Sequence, residues 1–171
     1  MTQAEELPAI DELALLKKLG LKKINDQVYE ATAYPTTVSK ESIFDLIKIA
    51  RGRGTPRFRI CLHNSINDAV QEMIMVIFNF GETPIHRTRR SEGEVCTTSY
   101  HIIYGSCIVQ QHDHSLQVTE SFHLSSDAEK YPMAVRLDGS MWRSMKITSD
   151  TCIFLETATG PFCKELTEWS K

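Results

Sequence analysis

Val70-Gln-Glu-Met-Ile-Met-Val-Ile-Phe-Asn-Phe80 is a long apolar run, rich in β-branched and aromatic residues, that Gly81-Glu-Thr-Pro84 cuts off. Its length and composition read as a buried strand. Toward the C-terminus the same signal recurs in short pieces. Tyr100 to Tyr104 stops at Gly105, Cys107 to Gln111 follows, and Leu116 to Leu124 returns after His112-Asp-His-Ser115, a predicted hairpin tip. Met133 to Leu137, Arg143 to Ile147 and Thr151 to Thr157 complete the run before Gly160-Pro161. Many short strands at regular spacing, divided by turn residues, predict a sandwich or a barrel. Toward the N-terminus, Arg57 to His63 is one more strand candidate, and before it the apolar period becomes that of a helix. Ile10 to Leu19 predicts a helix with Ile10, Leu13, Leu16 and Leu19 on one stripe and Gly20 as its stop. Val28 to Tyr34 reads as extended up to Pro35. Ser39 is the expected cap of a second helix, with Ile43, Leu46, Ile47 and Ala50 as its apolar face and Gly52 at its end. The expected division is a helical and extended segment, residues 1–54, packing on a barrel, residues 55–171, with residues 1–8 as a tail.

Composition narrows the function. The chain of 171 residues holds one domain with a sizeable core. Its formal net charge of −3 gives no global basic field for nucleic acid or an anionic membrane. No apolar run approaches the roughly 20 residues of a membrane span, and the acidic, polar start from Met1 to Leu7 is unlike a secretory signal. The cysteines, Cys61, Cys96, Cys107, Cys152 and Cys163, are odd in number and widely spaced, with no C-x-x-C. A disulfide framework is not expected, and a reducing, cytoplasmic setting fits.

Six segments taken in order carry more information than any one alone: Arg57-Phe-Arg-Ile-Cys-Leu-His63, Val70-Gln-Glu-Met-Ile74, Pro84-Ile-His-Arg-Thr88, Thr98-Ser-Tyr-His-Ile-Ile-Tyr-Gly105, Arg136-Leu137 through Trp142-Arg143, and Leu155-Glu-Thr-Ala-Thr-Gly-Pro-Phe162. The ordered set resembles the WbuC-like branch of the cupin superfamily, with Gln71 standing at a His of that pattern. The resemblance implies a mainly β, cupin-type barrel (a double-stranded β-helix, or jelly roll) with one or two N-terminal helices. It also implies a site at the open end, where two His two residues apart, a Glu and a later His aim at one metal. Side chains two apart on a strand share a face, which is why His-x-His suits that task.

At those positions this sequence has His86, Thr88, Thr98 and Arg143, or Trp142 in an alternative register. A guanidinium stays charged and has no lone pair to give. The expectation is a barrel without tight Fe, Zn or Mn, with His86 as the one retained ligand position and no cofactor assigned; a divalent transition metal is the alternative. The stretch from His86 to Gly105 is longer than the family spacing, and Glu92, Glu94 or Cys96 in that extra loop would be the residues to rebuild a ligand set.

Arg59, Cys61 and His63 alternate and so share a strand face. With Glu72 on the next strand and Glu156 on the last, two readings stay open. One is an internal salt-bridge network. The other is a polar pocket for a small anionic or hydroxylated ligand, since the arginine fork pairs bidentately with carboxylate or phosphate. The candidate lining is His86, Arg143, Arg59, His63, Thr88, Thr98 and Glu156, with His86 and Arg143 as the catalytic candidates. His112-Asp-His114 has ligand-like spacing but reads as an exposed turn. His101 has the opposite parity to Thr98, and His123 carries no signal. Arg87, Arg89 and Arg90 form a basic cluster without aromatic interleaving, which suits a loop gating an anion better than a nucleic-acid contact. Cys61 beside His63 shows no sign of an activated thiol.

Three function classes follow. The first is a cupin barrel that binds a small anionic or sugar-like molecule without tight metal. The second is an enzyme with a site rebuilt around His86, of isomerase, epimerase or metal-dependent oxygenase type; the resemblance connects it with sugar or polysaccharide biosynthesis. The third is a structural partner. Expected partners are a small-molecule ligand and either a second copy or another cupin, in a homodimer or hetero-oligomer, with no nucleic acid and no membrane.

Overall fold

Asp11 and Ser39 set the two helices in the computed structural model, which describes residues 10–79, 81–127, 129–163 and 166–170. The tail expected at residues 1–8 lies outside them. The Asp11 carboxylate accepts from the Ala14 amide (3.1 Å) and opens α1 (Glu12–Leu19), which Gly20 closes at φ +64°. The face that packs runs through Leu15, Leu16 and Leu19, and Leu13 is 79% exposed, so the expected stripe is rotated. Glu12 explains the rotation. It lies one turn before Leu16, on the packed face, where the Tyr29 hydroxyl (2.9 Å) and Arg53 (2.7 Å) satisfy its carboxylate. Ser39 caps α2 (Lys40–Gly52) through the Ser42 amide, and Ile43, Leu46, Ile47 and Ala50 are buried as the period predicts.

The strands form two sheets. The first has β1 (Leu21–Asn25), β2 (Val28–Ala31), β3 (Arg57–Cys61), β4 (Val70–Phe78), β6 (Thr97–Tyr104), β9 (Ala134–Asp138) and β11 (Thr151–Thr159). The second has β5 (His86–Thr88), β7 (Ser106–His112), β8 (Val118–Ser125), β10 (Trp142–Ile147) and β12 (Thr167–Trp169). From β4 to β11 the chain lays down β4-β11-β6-β9 in one sheet and β5-β10-β7-β8 in the other. Successive strands passing between two facing antiparallel sheets in this order make a jelly roll, the expected barrel class. The segment before β3 enters the first sheet as well: β2 runs parallel to β3, with Tyr29 opposite Ile60. No helix among the described residues is long and apolar enough to cross a membrane.

The run from Val70 does not alternate because both of its faces are covered. Ile74, Val76 and Phe78 join Phe58, Ile60, Leu46 and Ile43 in a core beneath the helices. The opposite parity faces the second sheet, where Ile77 packs with Cys152, Val109, Ile147 and Leu124. Further along that inward face stand Met75, Met73 and Gln71, and there the packed core gives way to a cavity.

Candidate functional site: an arginine-lined cavity

Strand register places the lining. In the first sheet Arg59 lies opposite Met75 and Met75 opposite Phe154. The next inward row is Cys61, Met73, Glu156 and Tyr100. From the second sheet, Arg143 pairs with His86 and His86 with Trp169. Together they enclose about 420 Å³, within the roughly 300–1,000 Å³ of small-molecule sites.

Arg143 lines this cavity and is only 4% exposed. Its Nε donates to the Tyr100 hydroxyl (3.2 Å), one Nη to the Gly139 carbonyl (2.7 Å) and the other to Thr88 Oγ1 (3.4 Å). All three partners are neutral, and no carboxylate among the described residues forms an ion pair with it. Two more guanidiniums line the cavity. The Nε atoms of Arg59 and Arg90 are buried and have no hydrogen-bond partner among the described residues. Arg90 is fixed through Nη2 on the carbonyls of Thr159 (2.7 Å) and Pro161 (2.9 Å). Against them stands Glu156, whose carboxyl is pushed up by burial while Arg143 and Arg59 pull it down. Thr98, fully buried behind it, places its hydroxyl 3.5 Å from Glu156 Oε1. Glu30, at the rim, is held by Lys22 (3.0 Å). Among the described residues the cavity therefore carries an excess of buried positive charge.

His86 supplies the complementary group. Its Nδ1–H donates to the Pro84 carbonyl (2.9 Å), which leaves the Nε2 lone pair free to accept. The ring lies against Trp169, centroids 5.1 Å apart. Burial first, and then the charge of Arg143, push the imidazole down from 6.5 to about 4, so it is neutral at neutral pH. The sign for stability follows. With the folded value below the unfolded one, the unfolded chain takes up the proton first as pH falls. The contribution is whole above 6.5 and is lost as pH falls toward 4, by about 3 kcal/mol at most. His86→Asn is expected to flatten the fall in urea-unfolding free energy between pH 7 and 4.5; slopes equal to wild type would show that His86 is not held neutral.

The metal-ligand positions implied by the resemblance come out differently. Thr88 and Arg143 are hydrogen-bonded to each other, and Thr98 contacts Glu156. Glu92 and Glu94 are exposed, Glu94 accepting from the Ser91 amide, and Cys96 Sγ donates to the Thr88 carbonyl (3.7 Å). No group of three His, Cys, Asp or Glu among the described residues converges. A guanidinium in the middle of the set does not suit a resident cation.

Several expectations need correction. Glu72 pairs with Thr157 and is exposed, on the other face from Arg59, because it has the opposite parity to Met73. His112 is buried, its Nε2 3.1 Å from Ser144 Oγ, while His114 is exposed; the two do not form a pair at the tip. Trp142 packs under the Arg87 guanidinium (4.5 Å) and Arg143 faces the cavity. Arg87 and Arg89 are held by Glu168, 2.8 Å from each, rather than hanging free over the mouth. His63 stays at the cavity wall, its Nδ1 3.2 Å from the Glu72 amide nitrogen. Gln71, at a His of the family pattern, donates Nε2 to the carbonyls of Ser65 and Asp68 and fastens that loop. Tyr100 and Trp169 were not anticipated. Tyr100 shares the parity of Thr98, a signal that was available; the three-residue β12 that carries Trp169 gives none.

No protein-family model matches the chain, and no curated protein matches it in sequence. Solved structures do match in shape. Protein SO0799 from Shewanella oneidensis superposes with a TM-score of 0.55 at 10% identity, covering 67% of this chain and 74% of that one. A cupin superfamily protein from Desulfitobacterium hafniense gives 0.44 at 12% identity, over 60% and 76%. Oxalate decarboxylase from Bacillus subtilis gives 0.46 at 14% identity, over 61% and 24%. Likeness at such identities concerns the fold alone, and the strand order above already establishes the jelly roll.

Proposed function

We propose that the cavity binds a small organic anion, a hydroxylated or sugar-like acid, without a tightly held metal. The observation that carries this reading is Arg143: a buried guanidinium with three neutral partners and, among the described residues, no carboxylate in an ion pair with it. A buried cation without a counter-charge is costly, and a ligand carboxylate or phosphate supplies that charge. Neutral His86 accepts a ligand hydroxyl at Nε2, and the Trp169 ring covers the apolar part of the ligand at the mouth.

Isothermal titration of the purified protein with gluconate and with inorganic phosphate, against sorbitol as the neutral control, tests it. Binding of an acid and not of sorbitol is expected; equal response to sorbitol would contradict the role of charge. Glu156→Gln removes the carboxyl that competes with the ligand for the arginines. It is expected to tighten acid binding several-fold, and weaker binding in this variant would show that Glu156 receives the ligand instead of opposing it.

A second reading rests on His86. A neutral imidazole with a free Nε2 beside a guanidinium is the arrangement for removing a proton next to a carboxylate, as in an isomerase or epimerase. At about 4 its basicity in the empty cavity is low for that work at neutral pH, which favours binding. An anion seated between His86 and Arg143 raises the imidazole pKa, so affinity is expected to increase as pH is lowered from 7 to 5.

A further inference from the structure

Resting on the anion-pocket reading, we infer that the ligand is a dianion of the dicarboxylate class, spanning Arg143 on β10 and Arg59 on β3 with an apolar middle. The two guanidiniums enter the cavity from opposite sheets. Arg143 is anchored beside Tyr100 on β6. Arg59 stands on β3, three strand steps from β6 across β4 and β11, a backbone separation of about 14 Å at the usual strand spacing. Both side chains reach inward from that distance, and the Glu156 row lies between them. Each acts on the Glu156 carboxyl, yet neither forms an ion pair with it.

The wall between the two cations carries Met73, Met75 and Phe154 beside Glu156, whose carboxyl is pushed up toward its neutral form by burial. One acidic group satisfies Arg143 and leaves the buried Arg59 Nε as it is. A ligand with an acidic group at each end and methylenes between them satisfies both cations and lays its chain on the thioether and aromatic wall. Arg90 is not the second station, because its Nη2 is already committed to two main-chain carbonyls.

The test is titration calorimetry at pH 7 with matched pairs of equal chain length: succinate against butyrate, glutarate against pentanoate, adipate against hexanoate. In the wild type, the best diacid is expected to bind at least about 10-fold tighter than its monoacid, a gain of about 1.4 kcal/mol. Arg59→Met is expected to remove the diacid's advantage, weakening the diacid far more than its monoacid, and Arg59→Lys to keep part of the preference. Equal affinity within every pair in the wild type overturns the dianion while Arg143-dependent monoacid binding keeps the anion pocket standing. No binding of either member of any pair overturns both. The wild-type comparison decides even if a variant does not fold.

Discussion

Arg143→Met is expected to weaken binding of small acids by about 100-fold while raising the melting temperature of the ligand-free protein. The first half follows from charge-assisted hydrogen bonds, each contributing about 1.5–3 kcal/mol. Removing the guanidinium removes at least one such bond and the field that draws the anion in. The second half follows from the absence of an ion-pair partner for Arg143 among the described residues. Arginines that hold a barrel together do so by pairing, and breaking a pair destabilises. Among the described residues Arg143 has no carboxylate ion pair to abandon. Gly139 O keeps the Thr88 amide at 2.9 Å after the substitution, and the groups left without the Arg143 donor are the Tyr100 hydroxyl and, at a longer distance, Thr88 Oγ1. Methionine fills a comparable volume beside Met145 on the same strand. A gain of about 1 kcal/mol, or about 3 °C for a domain of this size, is expected. Calorimetric melting with and without gluconate reads both halves. A lower melting temperature with unchanged acid affinity would make Arg143 a structural residue.

Gly105→Ala is expected to cost at least about 3 kcal/mol, against about 1 kcal/mol for Gly93→Ala. Both glycines have positive φ, +78° and +83°, so each substitution meets the same backbone strain. They differ in what a side chain would touch. At Gly105 a Cβ would stand 2.2 Å from the Thr151 carbonyl oxygen and 2.5 Å from Ser149 Oγ; at Gly93 it meets nothing within 4 Å. Gly105 is where the chain leaves β6 in one sheet for β7 in the other, and β6 carries Thr98 and Tyr100. The expected loss is therefore felt by the cavity as well as by the fold. Urea unfolding of the two variants measures the difference; equal losses would mean that the close approach to Thr151 does not constrain the crossing.

The barrel was legible because its strands differ so clearly from the helices before them, and because Gly105 and Gly160 punctuate them. The long run at Val70 was readable as a strand but its two-sided burial was not. Only the packing of Ile74 and Val76 under the helices, with Met73 and Met75 turned to the cavity, explains why it does not alternate. His86, Thr88 and Arg143 are legible as a group through the resemblance of the ordered segments to the family pattern, while period-two parity by itself joins only His86 and Thr88. Glu72 was misplaced by the same rule: its parity relative to Arg59 depends on a cross-strand register, Cys61 opposite Met73, that no single strand reveals. Leu13 was misplaced because a polar residue, Glu12, takes a place on the packed face once Arg53 and Tyr29 satisfy it. β5 and β12, three residues each, are too short to show a period, yet they carry His86 and Trp169 to the mouth.

The most direct test of the anion pocket is calorimetric titration of gluconate into protein dialysed against a chelator, then repeated with added Zn²⁺ or Mn²⁺. One-to-one binding that survives the chelator, is unchanged by either metal and disappears in Arg143→Met is the expected result. Binding that appears only when metal is restored, with the metal held stoichiometrically and lost in His86→Asn, would contradict it.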